Sequence, residues 1–204
     1  MFPACSGFNS KLVSEHYDAV QNTFTSKGFV TYRIDPLAAR DASSCNGVSS
    51  ESVGGDVKIA VDRIKSLDSV KADSINLIGW SWGAKVTLQS IVSSDSPEVQ
   101  TIIAYYPNCD WLSTWTTNAD VLLLFGDKDT IAEPTDCEPV FQASSHGEGS
   151  RFAVFPGGLH LFDVEKLTTP VVFKSHHMGF DAKAAKSAWG IVENLKAMRF
   201  PTGK

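Results

Sequence analysis

The sequence has no apolar run near the ~20 residues that a membrane span requires. Its start has no basic segment leading into an apolar stretch, so neither an anchor nor a leader is expected. Basic charge is also short: 18 Lys and Arg stand against 23 Asp and Glu, a net charge of −5, with no basic cluster. That weighs against a nucleic-acid partner, which needs a concentrated phosphate-neutralising patch. Cysteine is sparse as well. Cys5, Cys45, Cys109 and Cys137 are far apart, with no Cys-x-x-Cys pair, which excludes a zinc ribbon and a disulfide-dense scaffold. The default reading is buried free thiols in a reducing, cytoplasmic compartment. One or two bridges stay open, because sequence alone gives no connectivity. No G-x-G-x-x-G or P-loop follows an apolar run, and no His/Asp/Glu/Cys cluster has ligand spacing. No nucleotide, metal or other cofactor is therefore expected.

What is present is a chain of 204 residues, 43% hydrophobic, enough for one domain over residues 1–204 with a full core. Five short runs are rich in β-branched and aromatic residues: Phe29–Ile34, Ile75–Trp80, Thr101–Tyr106, Val121–Phe125 and Phe152–Phe155. They are continuous rather than alternating, as strands buried on both faces of a parallel sheet are. Helical stripes lie around them. Val13, Tyr17, Val20 and Phe24 form one, closed by Gly28, and Val57, Ala60, Val61, Ile64 and Leu67 form a second. Ala84–Val92 reads as a third helix and Ala182–Met198 as a last one, with Ala185, Ala188, Val192 and Leu195 inward. This alternation predicts an α/β fold with a doubly wound, mostly parallel sheet and helices on both faces. Ligands of such sheets sit beyond the C-terminal strand ends.

One strand end carries Gly79-Trp80-Ser81-Trp82-Gly83, with a helix pattern directly behind it. G-x-S-x-G between strand and helix is a nucleophile elbow, whose glycines admit a strained turn that side chains would obstruct. A serine hydroxyl needs a base and an orienting carboxylate, expected later in the order Ser, Asp, His. Val121–Phe125 is followed by Asp127 and Asp129, and Phe152–Phe155 by Pro156-Gly157-Gly158-Leu159-His160. His160 is preferred over His16, His146, His176 and His177 because it alone follows a buried strand and a Gly-Gly loop. Asp129, further from its strand end, is preferred over Asp127, which suits a turn cap; Glu133 and Asp163 read as turn or surface carboxylates. Two N–H donors for an oxyanion are expected from Trp82 and from the loop Pro3–Gly7, at Cys5. That loop reads equally well as an ordinary glycine turn. Trp80 suits the core, whereas Trp111 and Trp115, in a polar loop, suit a pocket wall.

The segments ACSGFN, INLIGWSWGAKV, YYPNCDW, VLLLFGDKDTIAEPTDC, FPGGLHLFD and HHMGFDAKAAKSAW resemble the dienelactone hydrolase family of α/β-hydrolases over nearly the whole chain. The resemblance implies an α/β-hydrolase fold with Ser81 as nucleophile, Asp129 as orienting acid and His160 as base. Its substrate would be a small-molecule ester or lactone. Three departures weigh against dienelactone itself. Ser81 stands where the namesake enzymes have cysteine, Ala4 matches a glutamate of their early loop, and no arginine follows His160 in Leu161-Phe162-Asp163-Val164. Arg40 matches the other substrate-gripping arginine, with a surface salt bridge as the alternative role. A thioesterase or peptidase using the same three residues, or a non-catalytic binding protein of this fold, are the rival functions. One further expectation concerns the sheet. The loop at Cys5 should follow a full central strand, yet only Met1–Ala4 precedes it. The N-terminal strands are therefore expected to be short or missing, which would leave the slot between Phe29–Ile34 and Ile75–Trp80 underfilled.

Overall fold

The computed structural model describes residues 1–92 and 95–195. Its frame is a parallel sheet of β1 (Asn76–Trp80), β2 (Thr101–Tyr105), β3 (Asp120–Gly126) and β4 (Arg151–Phe155), in that order. These are four of the five predicted strands. The register sets Ile78, Ile103 and Leu122 in one row. β2 and β3, the most continuous apolar runs, occupy the buried centre.

Around the sheet lie α1 (Ser14–Ser26), α2 (Ser50–Lys65), α3 (Trp82–Val92), α4 (Pro134–Ala143) and α5 (Ala182–Glu193). Their ends follow local chemistry. α1 stops at Gly28, whose φ of 87° suits glycine. The Phe29 N–H bonds back to Phe24 O at 3.1 Å, and the two rings meet at 5.7 Å, a Schellman closure with its hydrophobic contact. The Asp181 carboxylate accepts the Ala184 N–H at 2.7 Å and starts α5. α5 buries Ala184, Ala188 and Val192, one position earlier than predicted at its first alanine, and Leu195 is buried just beyond the helix end. The predicted tail of this helix, residues 196–198, falls outside the described residues.

Helices cover both faces, as neighbouring residues of β1 demonstrate. A side chain at Gly79 would run into the α3 backbone at Gly83 and Ala84. Trp80 points the other way, meeting His16 and Tyr17 of α1 at ring separations of 5.5 and 5.1 Å. α5 lies on that second face beside α1, with Phe24 against Trp189 at 5.4 Å.

Phe29–Ile34 forms no strand. Between it and β1 lies the short Met1–Pro3 segment. The Met1 amino group donates to Tyr32 O at 2.8 Å, and the Ile34 N–H donates to Met1 O at 3.1 Å. On the other side the Phe2 N–H donates to Ile78 O at 2.8 Å, and the Trp80 N–H donates to Phe2 O at 3.3 Å. Further down, a cavity of about 240 Å³ lined by Met1, Phe29, Tyr32, Ile75 and Leu77 fills the rest of the expected slot.

Three more features depart from expectation. α4 matches none of the helical stripes read from the sequence; it carries Pro134 and Pro139 and buries Cys137 and Phe141. A short antiparallel hairpin, β5 (Val171–Phe173) with β6 (His176–Met178), lies beyond the last predicted strand. Finally, the free-thiol reading is wrong. Cys5 is bonded to Cys45 and Cys109 to Cys137, leaving no free cysteine among the described residues. Spacing could not show this, because each pair is brought together by tertiary contact. The argument for a reducing, cytoplasmic compartment loses its footing with it. No helix among the described residues is long and apolar enough to cross a membrane.

Candidate active site

Ser81 stands at the turn from β1 into α3 with φ 52°, in the left-handed region. Its N–H is held by Tyr105 O at 2.9 Å. Both flanking glycines are required by contact. A Cβ at Gly79 would strike the α3 backbone, and one at Gly83 would strike the main chain of Phe2 and Pro3. The elbow is thus wedged between its own helix and the N-terminal segment.

His160 follows β4 through the Pro156–Leu159 loop. Asp127 caps that loop, its carboxylate accepting the Gly157 N–H at 2.6 Å. Asp129 Oδ1 accepts the N–H groups of Ile131 and Ala132 at 2.8 and 2.9 Å. Its Oδ2 lies 2.7 Å from His160 Nδ1. Since a carboxylate only accepts, Nδ1 carries the proton. Nε2 then offers its lone pair to Ser81 Oγ, 3.0 Å away. The fold therefore brings Ser81, His160 and Asp129 into one hydrogen-bonded line. The two imidazole-side partners are buried, Asp129 at 3% and His160 at 4% exposure.

The two predicted donor groups can be compared with their neighbours. Trp82 begins α3, so its N–H has no partner within the helix. In the early loop the Ala4 N–H is already taken by the Tyr17 hydroxyl at 2.8 Å. The Cys5 N–H has no partner among the described residues, while Cys5 O accepts from the Cys45 N–H at 2.8 Å.

The predicted pocket residues separate. Trp111 is half-buried, with Lys85 Nζ 4.4 Å above its ring. Burial lowers the Lys85 pKa, against the pull of Asp110. Trp115 is instead 3% exposed and packs on Phe141. It is a core residue, buried because α4 covers a segment that reads as open polar loop. Arg40 pairs with Asp56 of α2 at 2.7 Å, on the surface, the alternative role. No hydrogen bond or ion pair among the described residues links it to Ser81, Asp129 or His160.

Sequence reasoning missed the surroundings of Asp163, which is neither a turn nor a surface carboxylate. Its side chain is 10% exposed and accepts the Tyr106 hydroxyl at 2.6 Å and the Trp80 indole N–H at 2.9 Å. His16 Nε2 lies 3.3 Å from Asp163 Oδ2, close enough to pair with it when the imidazole is protonated. Burial opposes the charge on Asp163, but the neighbouring His16 and the hydrogen bonds from Tyr106 and Trp80 outweigh it and hold the carboxyl below its ordinary pKa. Burial, reinforced by the Asp163 charge, pushes the Tyr106 phenol well above its usual pKa, so it stays a donor. The signals in the sequence were Asp163's spacing, three residues after His160, and its place at the end of the family-like segment FPGGLHLFD.

Known structures share this arrangement of strands and helices. A candidate dienelactone hydrolase from Klebsiella pneumoniae superposes with a TM-score of 0.70 at 16% identity, covering 97% of this chain and 85% of that one. A dienelactone hydrolase-like promiscuous phosphotriesterase from metagenomic libraries gives 0.63 at 14% identity, with 95% and 82% covered. An α/β serine hydrolase homologue from Coxiella burnetii gives 0.60 at 16% identity, with 95% and 83% covered. At such identities the likeness speaks for the α/β-hydrolase fold alone. No curated protein matches the chain in sequence. The sequence pattern of one family, however, matches residues 8–197, nearly the whole length. On that match, the chain is a hydrolase-fold member of the dienelactone hydrolase family.

Proposed function

We propose that this protein is a serine hydrolase that cleaves a small carboxylic ester or lactone through an acyl-enzyme on Ser81. The observation that carries the reading is the line from Asp129 Oδ2 through His160 to Ser81 Oγ, at 2.7 and 3.0 Å, on a serine held at φ 52°. His160 Nε2 takes the Ser81 proton as Oγ attacks the carbonyl carbon. The resulting oxyanion receives the N–H groups of Cys5 and Trp82, neither of which has another partner among the described residues. As the intermediate collapses, His160 returns its proton to the departing alkoxide. Water, deprotonated by His160, then attacks the acyl carbon and frees Ser81 and the acid. Asp129 fixes the imidazole tautomer and stabilises the imidazolium. In this reading Trp111, with Lys85 Nζ over its ring, is the proposed aromatic wall for small or flat acyl groups.

The test is Ser81→Ala on p-nitrophenyl acetate. Turnover should fall by at least about 10³-fold, and labelling by a fluorophosphonate probe should vanish. Full hydrolysis by the variant would overturn the reading.

A further inference from the structure

We propose that Asp163 is a positioning residue for this reaction, acting through Tyr106 on the imidazole of His160. The proposal rests on the reading of His160 as the base. Asp163 stands at the meeting point of the segments that carry the chemistry. It lies three residues beyond His160 on the same loop. It binds Trp80, the residue before Ser81, through Oδ2 at 2.9 Å, and Tyr106, at the end of β2, through Oδ1 at 2.6 Å. The Tyr106 ring in turn packs against the His160 imidazole, with centroids 4.6 Å apart and planes at 58°. One carboxylate thereby ties the nucleophile's strand to the base's loop and holds the ring that backs the base.

The backbone points the same way. Tyr106 and Leu161, the residue following His160, have φ of 41° and 64°, conformations that bulky side chains rarely adopt and that the surroundings must enforce. Tyr106 is fully buried. Its N–H is fixed by Leu124 O at 2.8 Å and its hydroxyl by Asp163, so the ring cannot turn away from His160. Stability alone explains the carboxylate poorly, since a buried ion pair is often no better than apolar packing of the same volume. What an apolar side chain could not supply is two directed acceptors, one for each neighbouring strand end.

The experiment uses the full chain with Tyr106→Phe, Asp163→Asn and the double variant, measuring kcat and KM on p-nitrophenyl acetate beside thermal melting. Tyr106→Phe keeps the ring and removes only the tether, so it remains informative if Asp163→Asn folds poorly. Tyr106→Phe should lower kcat about ten- to hundredfold at unchanged KM, with little change in melting. The double variant should be no slower than the slower single one, because both changes break the same contact. Wild-type kcat in Tyr106→Phe, or losses that multiply in the double variant, would overturn the proposal. A His160→Ala protein with undiminished activity would instead overturn the base assignment, whatever the Asp163 variants do.

Discussion

The bond between Cys5 and Cys45 joins residues 40 apart in sequence. Replacing both with serine releases the closed loop in the unfolded chain, and the chain-entropy relation puts the loss at about 4 kcal/mol. For a domain of 204 residues, each kcal/mol shifts the melting temperature by about 2–4 °C. Cys5→Ser with Cys45→Ser should therefore melt about 8–16 °C below the wild type, or less where the reduced chain keeps residual structure. Activity should suffer too, below the melting range. The Cys5 N–H survives the substitution, but its loop would then be joined to the Cys45 segment only by the hydrogen bond from Cys45 N–H to Cys5 O. The assay is differential scanning fluorimetry with and without reductant, beside ester turnover and thiol titration in denaturant. Unreduced protein should titrate no thiols and reduced protein four. Four thiols in the unreduced protein, or a melting curve indifferent to reductant, would refute the reasoning.

Asp129→Asn should drop kcat by on the order of 10⁴. An amide nitrogen facing His160 Nδ1 donates, forces the proton onto Nε2, and points an N–H at Ser81 Oγ; wild-type turnover in this variant would exclude Asp129 as the orienting acid. Acid sensitivity should trace to Asp163. Its pKa is lower folded than unfolded, so its stabilisation is complete above the unfolded value and is lost as pH falls through the folded one. Wild-type melting temperature should therefore fall on acidification below about pH 4, and more steeply than that of Asp163→Asn; parallel curves would contradict this.

Ser81 and Asp129 were legible because each sits just past a strand buried nearly along its whole length, which announces itself as an unbroken apolar run. β4, before His160, is instead an edge strand partly open to solvent, so the expectation of a buried strand there was wrong and the Gly-Gly loop carried the signal. The elbow glycines were legible for a steric reason that the contacts of Gly79 and Gly83 bear out. What stayed hidden depends on neighbours distant in sequence. Phe29–Ile34 has strand composition, but what lies beside it is the short Met1–Pro3 segment, 26 residues or more away in sequence. Trp115 lies in a polar loop that α4 happens to cover. The two disulfides, and the meeting of His16 with Asp163, join residues whose spacing carries no period at all.

The sheet also imposes an order of assembly. β1 to β4 follow one another across the sheet as they do along the chain, so each strand can add to an edge already made as the polypeptide grows. Met1–Pro3 breaks that sequence. It has no sheet edge to join until residues 76–80 exist, and Gly83 must be in place before the elbow can close on Phe2 and Pro3. During synthesis this segment thus waits for a template made much later. Such long-range closure is slow compared with local pairing, and the loop at Cys5 reaches its working position only after β1 and the elbow are complete.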